Sequence, residues 1–380
     1  MNEQQIQENI PFCMFYAGVA ALNLIACCYL LLRRGNAFAP DTTPPLPLRR
    51  WAAALFAAAF LSHVWWYLFD VHSGDIHSVY CVMVAVPDCV SLFTTIAGTL
   101  LAMLQDRKRP VWPFVIGTAP YAAFMVLNLA YPESHYINIA IAYILLFYAL
   151  FTIYMIHAVR QYGRWLRDNY ADLEHKEVWV SHVLAIIILI LIISEGFDDG
   201  NLTVSYVVQV NGLVLTGFLL WRVETLPQLE NVSVEQAYSP PAPETAQEPE
   251  LPTQAQQPLV IPSNIGQLLA ERCVGTQLYL QHDLTLSQLA QVIGTNRFYL
   301  SQYFSRQGMT YNAYINNLRI DHFISLYRET ASSQRTFTAQ QLAHESGFRS
   351  YSTFGNAFKQ RMGQTVTAWT HETDKSKSLS

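Results

Sequence analysis

The chain of 380 residues divides by the rhythm of its apolar positions. Up to about residue 225, apolar side chains come in long runs, near 10–32, 51–69, 78–104, 111–131, 136–158, 178–196 and 203–221. A helix needs about 20 mostly apolar residues to cross hydrocarbon, where every backbone polar group must be satisfied within the segment itself. The runs therefore predict a bundle of about seven transmembrane helices, of which the sixth, VWVSHVLAIIILILIISEGF, is the clearest. Pro87 falls inside the third run, and Pro113 and Pro120 inside the fourth, so irregular helices are expected there. After residue 263 apolar residues recur three and four positions apart among polar ones, the spacing of amphipathic helices around a small soluble core. The predicted class is all-α from end to end.

Between these regions, residues 226–262 alternate Pro with Glu and Gln and contain no basic residue. Such a segment cannot bury enough apolar surface to order itself, so a disordered linker is expected. A flexible coil of this length would reach on the order of 35 Å. Its negative charge would hold the soluble region away from an anionic inner leaflet. The expected organisation is a membrane domain over 1–225, the linker over 226–262, a soluble domain over 263–372 and a tail over 373–380.

Charge adds direction to this picture. Overall the chain carries −5, but residues 263–380 hold 11 Lys and Arg against 7 Asp and Glu, a surplus that points to an anionic partner. In the apolar half, Arg33, Arg34, Arg49, Arg50, Arg107, Lys108, Arg109, Arg160, Arg164, Arg167, Lys176 and Arg222 all fall in alternate connections. The other connections, 70–77, 132–135 and 197–202, and the leading residues 1–9, contain neither Lys nor Arg. Positive residues are retained on the cytoplasmic side, so the pattern places the amino terminus outside and everything after Arg222 inside, as for a multi-pass protein of a bacterial inner membrane.

Few polar residues interrupt the runs. An ionisable group at bilayer depth is costly unless paired or hydrated, which singles out Asp88, just after Pro87 in the third run, and His63 at a comparable depth in the second. These two are candidates for a signal or ligand site. The alternative is that they, with Asn23, His182, Gln209 and others, hold helices together through hydrogen bonds.

The soluble region contains a doubled pattern. LAQVIGTNRFYLSQYF begins at Leu289 and LAHESGFRSYSTFGNAF at Leu342; in each a Leu-Ala pair precedes a Gly by four residues, giving Ala290 with Gly294 and Ala343 with Gly347. A helix-turn-helix needs a small residue where two helices cross closely and a glycine free to take positive φ in the sharp turn. Asn296 and Ser350 then stand where a second helix needs its cap. Leu300 with Phe304, and Phe354 with Phe358, come next at the spacing of an inner face. MTYNAYINNLRIDHFISLYRET reads as one amphipathic helix joining the two modules.

The doubled motif, Leu318-Arg319-Ile320, the Gly347-Phe348 step and the closing Gly363-x-Thr365 resemble the DNA-binding domain of AraC/XylS-type transcription regulators over roughly residues 263–372. The resemblance implies a seven-helix domain that binds double-stranded DNA, with two recognition helices entering successive major grooves about 34 Å apart. The chain departs from the family pattern at Gln302, Ser305 and Asn356, where a basic residue is usual, at Val366 for a proline, and at Thr353 for an aromatic. The segment from Phe304 to Gly308 is also shorter, by about one residue. Base contacts are expected from Asn296, Arg297 and Gln302 in the first recognition helix, and from Arg349, Ser350, Tyr351, Ser352 and Asn356 in the second. Arg306, Lys359 and Arg361, further along, suit phosphates.

Phosphate-binding glycine loops, nucleophile motifs and Cys-x-x-Cys pairs are all missing from the sequence, so no enzyme, cofactor or metal is expected. The reading is a one-component regulator whose membrane bundle senses an unknown small ligand or other signal, with a homodimer as its expected state on DNA. Two alternatives stay open: a transporter or channel that gates a fused regulator, and spans that only anchor it.

Overall fold

The computed structural model describes residues 10–33, 35–40, 42–72, 77–131, 135–174, 176–183, 186, 202–229, 264–332 and 337–378. Its Cα atoms fall into two compact units: residues 1–162 with 175–230, and residues 163–174 with 231–380. Among the described residues there is no strand, only an isolated bridge between Tyr170 and Thr285.

In the first unit the helices are α1 (Ile10–Leu32), α2 (Leu46–His72), α3 (His77–Ala102), α4 (Trp112–Gly117), α5 (Ala119–Ala130), α6 (Tyr136–Asn169), whose residues from Gly163 on belong to the second unit, and α7 (Leu202–Thr225). Among the described residues, six segments are long and apolar enough to cross a membrane, α4 and α5 counting as one. The span predicted over 178–196 lies largely outside the described residues. Pro120 explains the break between α4 and α5: it lies in the first turn of α5, where its missing N–H would have had no intrahelical partner, and Pro113 takes the same place at the start of α4. Pro87, by contrast, sits within a continuous α3.

Small residues let the helices approach. Ala52, Ala53 and Ala58 of α2 are buried, and α2 packs between α1 and α3. Gly98 of α3 lies so close to the Trp51 indole that a methyl group there would meet the ring at 2.3 Å. On the outer surface the preference inverts: Leu146, Leu150 and Ile153 form an exposed apolar stripe along α6, as a lipid-facing helix requires. Polar groups bridge helices inside. Thr216 donates to Asn23 Oδ1 (3.0 Å), joining α7 to α1. Glu224 accepts from the amides of Ala37 and Phe38 and from the Tyr29 hydroxyl, closing the turn after α1 onto the end of α7. The first residues of the predicted linker belong to this unit. Leu226 and Leu229 are buried, and Gln105 holds Pro227 O and Leu229 N by its two amide atoms, because this stretch still has apolar side chains to bury.

The second unit holds α8 (Ile265–Leu269), continued by a π turn (Ala270–Val274), then α9 (Leu286–Ile293), α10 (Arg297–Arg306), α11 (Tyr311–Ser332), α12 (Ala339–Glu345), α13 (Tyr351–Met362) and α14 (Val366–Ser378). Two apolar cores form within it. One gathers Leu269, Leu289, Ile293, Leu300 and Phe304; the other gathers Leu342, Phe348, Phe354, Phe358 and Trp369. Helix α11 serves both, with Tyr311 and Ile315 in the first and Phe323 and Tyr327 in the second. A four-residue step along one ridge takes it from core to core, and the residue at the midpoint is Arg319, which is fully buried. The unit also takes in Gly163–Glu174, residues that the hydropathy pattern leaves as a connection.

Candidate nucleic-acid interface

Both helix pairs are built by the same local chemistry. Helices α9 and α12 each begin with a reciprocal cap: Thr285 accepts from Gln288 N and Gln288 from Thr285 N, and Thr338 and Gln341 repeat the arrangement. Each helix closes on a glycine or a residue beside one. Gly294 has φ +77° and Gly347 φ +87°, and the amides of Thr295 and Phe348 reach back to Ala290 O (2.9 Å) and Ala343 O (3.1 Å). Ala290 and Ala343 are buried at the crossings. Asn296 Oδ1 then accepts from Tyr299 N (2.9 Å) and Ser350 Oγ from Thr353 N (3.3 Å), so these side chains cap α10 and α13. The two turns differ by one residue: Asn296 follows Gly294 by two positions, whereas Ser350 follows Gly347 by three.

The modules are locked together by a junction that the linear pattern did not reveal. Arg319 donates from Nε to Tyr279 O (2.8 Å), from Nη2 to Gln281 O (2.8 Å) and from Nη1 to Asp172 Oδ1 (3.0 Å), and its guanidinium lies over the Phe348 ring. Gly347 lies against the backbone of Leu280, and its carbonyl oxygen is 3.0 Å from His282 Nδ1. The short 3-10 turn Leu278–Leu280 is thus wedged between the first core and the second turn.

The proposed base-reading residues fall into two groups. On the second module Arg349, Tyr351, Ser352, Asn356 and Lys359 are all exposed; Ser352, Asn356 and Lys359 lie on the side of α13 opposite the buried Phe354 and Phe358, Arg349 lies in the turn before the helix, and the Tyr351 ring packs against Phe354. Arg349 makes only an exposed pair with Asp283 (2.8 Å), the kind of contact that a phosphate or base can replace at small cost. On the first module the candidates are more engaged. Asn296 is occupied as a cap. Arg297 is half-buried, with Nε 2.8 Å from Asn169 Oδ1, and burial lowers its pKa. Gln302 is half-buried, and its Oε1 is enclosed. Arg306 is exposed at the end of α10. Arg361 is directed back onto α11, donating to Asn317 O and to Asp321 Oδ1 (2.7 Å). A residue missed in the sequence is Phe298, half exposed at the start of α10. Its signal was an aromatic residue off the Leu300/Phe304 stripe.

In the first unit, Asp88 and His63 do not pair. Asp88 Oδ2 accepts from Ser62 Oγ (3.0 Å) and Trp66 Nε1 (2.9 Å), while Oδ1 is enclosed without a hydrogen bond. His63 has its Nδ1 2.7 Å from Ala59 O and its Nε2 3.0 Å from Gln209 Oε1, with the Tyr16 ring against it. The two residues thus belong to adjacent networks, one joining α2 to α3 and the other joining α1, α2 and α7.

Residues 289–372 match the family of helix-turn-helix domains. No curated protein and no solved structure matches the chain. With two capped helix pairs, a left-handed glycine in each turn and a shared helix between them, residues 289–372 are an AraC-type helix-turn-helix domain, a class of domain that binds double-stranded DNA.

Proposed function

We propose that this protein is a membrane-embedded, one-component transcription regulator. Its apolar helices cross the bacterial inner membrane, its second unit lies in the cytoplasm, and the two helix-turn-helix modules bind specific promoter DNA as a homodimer. The observation that carries the reading is the exposed polar face of α13 beside a capped, glycine-closed turn. Arg349 and Asn356 there have the donor and acceptor sets that bridge guanine and adenine, and Lys359 supplies charge for a phosphate.

The test is to map the DNA bound in cells and measure retardation of that duplex by the full-length protein in detergent. Arg349→Ala and Asn356→Ala are each expected to weaken specific binding by roughly ten- to a hundredfold and to relax the preference at one base pair. Lys359→Ala should weaken all sequences alike and reduce the salt slope by about one. Equal loss on specific and random DNA for all three variants would remove α13 as the reading helix.

We assign signal reception to the Asp88 network. A carboxylate with one oxygen held by Ser62 and Trp66 and the other enclosed is a group that a proton or a cationic ligand would address. A signal shifts the balance between two bundle states only if it binds them unequally, and α2 and α3 are the helices it would move. In a promoter reporter, Asp88→Asn and His63→Ala are expected to abolish the response to an inducing condition while leaving protein level and DNA retardation unchanged. An unaltered response in both would exclude the site.

A further inference from the structure

The first helix-turn-helix module carries a socket, and a segment of the same chain fills it. Residues 169–172, which continue directly from α6, run along the start of α9. Tyr170 bridges Thr285, Ala171 N donates to Leu284 O (3.1 Å), and Asp172 Oδ2 accepts from Asp283 N (2.8 Å). Asn312 of α11 donates its side-chain amide to the carbonyl oxygens of Tyr170 (3.3 Å) and Ala171. Ala171 is fully buried in the first core beside Leu284 and Leu286. Main chain, side chain and core packing all take part, so this is a shaped seat for one particular tetrapeptide.

Its first residue touches the DNA-reading helix. Asn169 Oδ1 receives both Nε and Nη2 of Arg297, the opening residue of α10 and one of the two basic side chains on that helix. Arg297 is therefore directed at the chain's own segment, with its fork occupied, where a regulator bound to DNA would need it on a phosphate or a guanine. On the second module the basic residue of the turn, Arg349, makes only an exposed pair.

We propose that residues 169–172 are an internal strap that withholds Arg297 from DNA, and that release of the strap arms the first module. The proposal rests on the DNA-binding reading above. The strap continues without a break from a helix long and apolar enough to span the membrane, so a movement of α6 would pull on it through the main chain. The buried Asp172–Arg319 pair holds the far end of the strap, while the Asn169–Arg297 contact at the near end is the part open to exchange.

The experiment uses full-length protein in detergent and a duplex recovered from cells. Asn169→Ala keeps Asp172 and the core contacts and frees only Arg297. It is expected to raise affinity for the duplex about five- to tenfold, as when a withheld fraction becomes competent, and to steepen the salt dependence. Arg297→Ala added to Asn169→Ala should erase the gain. A second measurement needs no variant: in the wild-type protein, hydrogen exchange at the Ala171 amide should accelerate when the duplex is added. Unchanged affinity in Asn169→Ala together with unchanged or slower exchange at Ala171 on DNA binding would overturn the strap while leaving the DNA-binding reading intact. Failure of every variant and of the wild type to bind any recovered duplex would overturn that reading, and the strap with it.

Discussion

Replacing Arg319 by Met is expected to destabilise the second unit by about 3–5 kcal/mol, the usual cost of removing one partner of a buried ion pair. The side chain is fully buried and satisfies three different groups: the carbonyl oxygens of Tyr279 and Gln281 and the carboxylate of Asp172. A thioether fills similar space and packs on Phe348, but it removes the donor to two carbonyls and the guanidinium that faces the buried Asp172 carboxylate, which still accepts from Asp283 N. Against a total stability of roughly 5–15 kcal/mol for a domain of this size, the loss would populate the unfolded state measurably. Hydrogen exchange along α11 in the full-length protein reads the effect directly, and amide protection there should fall by roughly a hundredfold or more. Adding Asp172→Leu to Arg319→Met should recover part of the loss, because it removes a buried charge whose counter-ion is gone. Protection within a factor of three of the wild type in the single variant would show that Arg319 is not the fastener between the modules. Because α11 runs through both cores, the loss should also appear in DNA binding as a loss of cooperation between the two reading helices.

The second large effect comes from comparing the two turn glycines. Gly294 and Gly347 both have positive φ, so alanine at either carries a backbone cost of about 1 kcal/mol. Only Gly347 is also confined: a methyl group there would meet Leu280 Cα and O at 2.8 Å, and backbone cannot step aside as a side chain can. At Gly294 the nearest atom is Arg272 Nη1 at 3.4 Å, the end of a flexible side chain. Gly347→Ala is therefore expected to destabilise the unit by about 2–4 kcal/mol and Gly294→Ala by about 1, although both sit in the same kind of turn. Matched exchange measurements on α12 and α9 test this, and equal losses would refute the close approach of the second turn to Leu280. Gly347→Ala should also weaken specific DNA binding more than its position suggests, since the turn that it distorts aims Arg349 and Ser350.

Much of this was legible in the linear order of residues. Runs of apolar residues can be recognised without a structure because a membrane imposes a single length and a single polarity on any helix that crosses it. The helix-turn-helix pairs were equally readable, since caps, turn glycines and inner-face spacing are contacts between residues a few positions apart. Asn296 and Ser350 took the capping positions that their neighbours implied, and Ala290 and Ala343 the crossings. The break at Thr118 followed from Pro120 in the same way.

The features that stayed hidden depend on residues distant in the chain. Nothing near Asp172 announces that it will meet Arg319, 147 positions later, or that Asn169 will hold Arg297. Arg297 and Arg349 look alike as basic residues beside a capped turn, yet one is half-buried and engaged while the other is exposed. Asp88 and His63, read as neighbours in depth, have separate partners because the direction a side chain takes from its helix depends on which helix lies beside it. Local periodicity thus determined which helices form and where they turn, because it arises from short-range sterics and solvent preference. The folded packing alone decided which charged groups are neutralised and which remain for a ligand, because that is settled by the company each side chain keeps once distant segments meet.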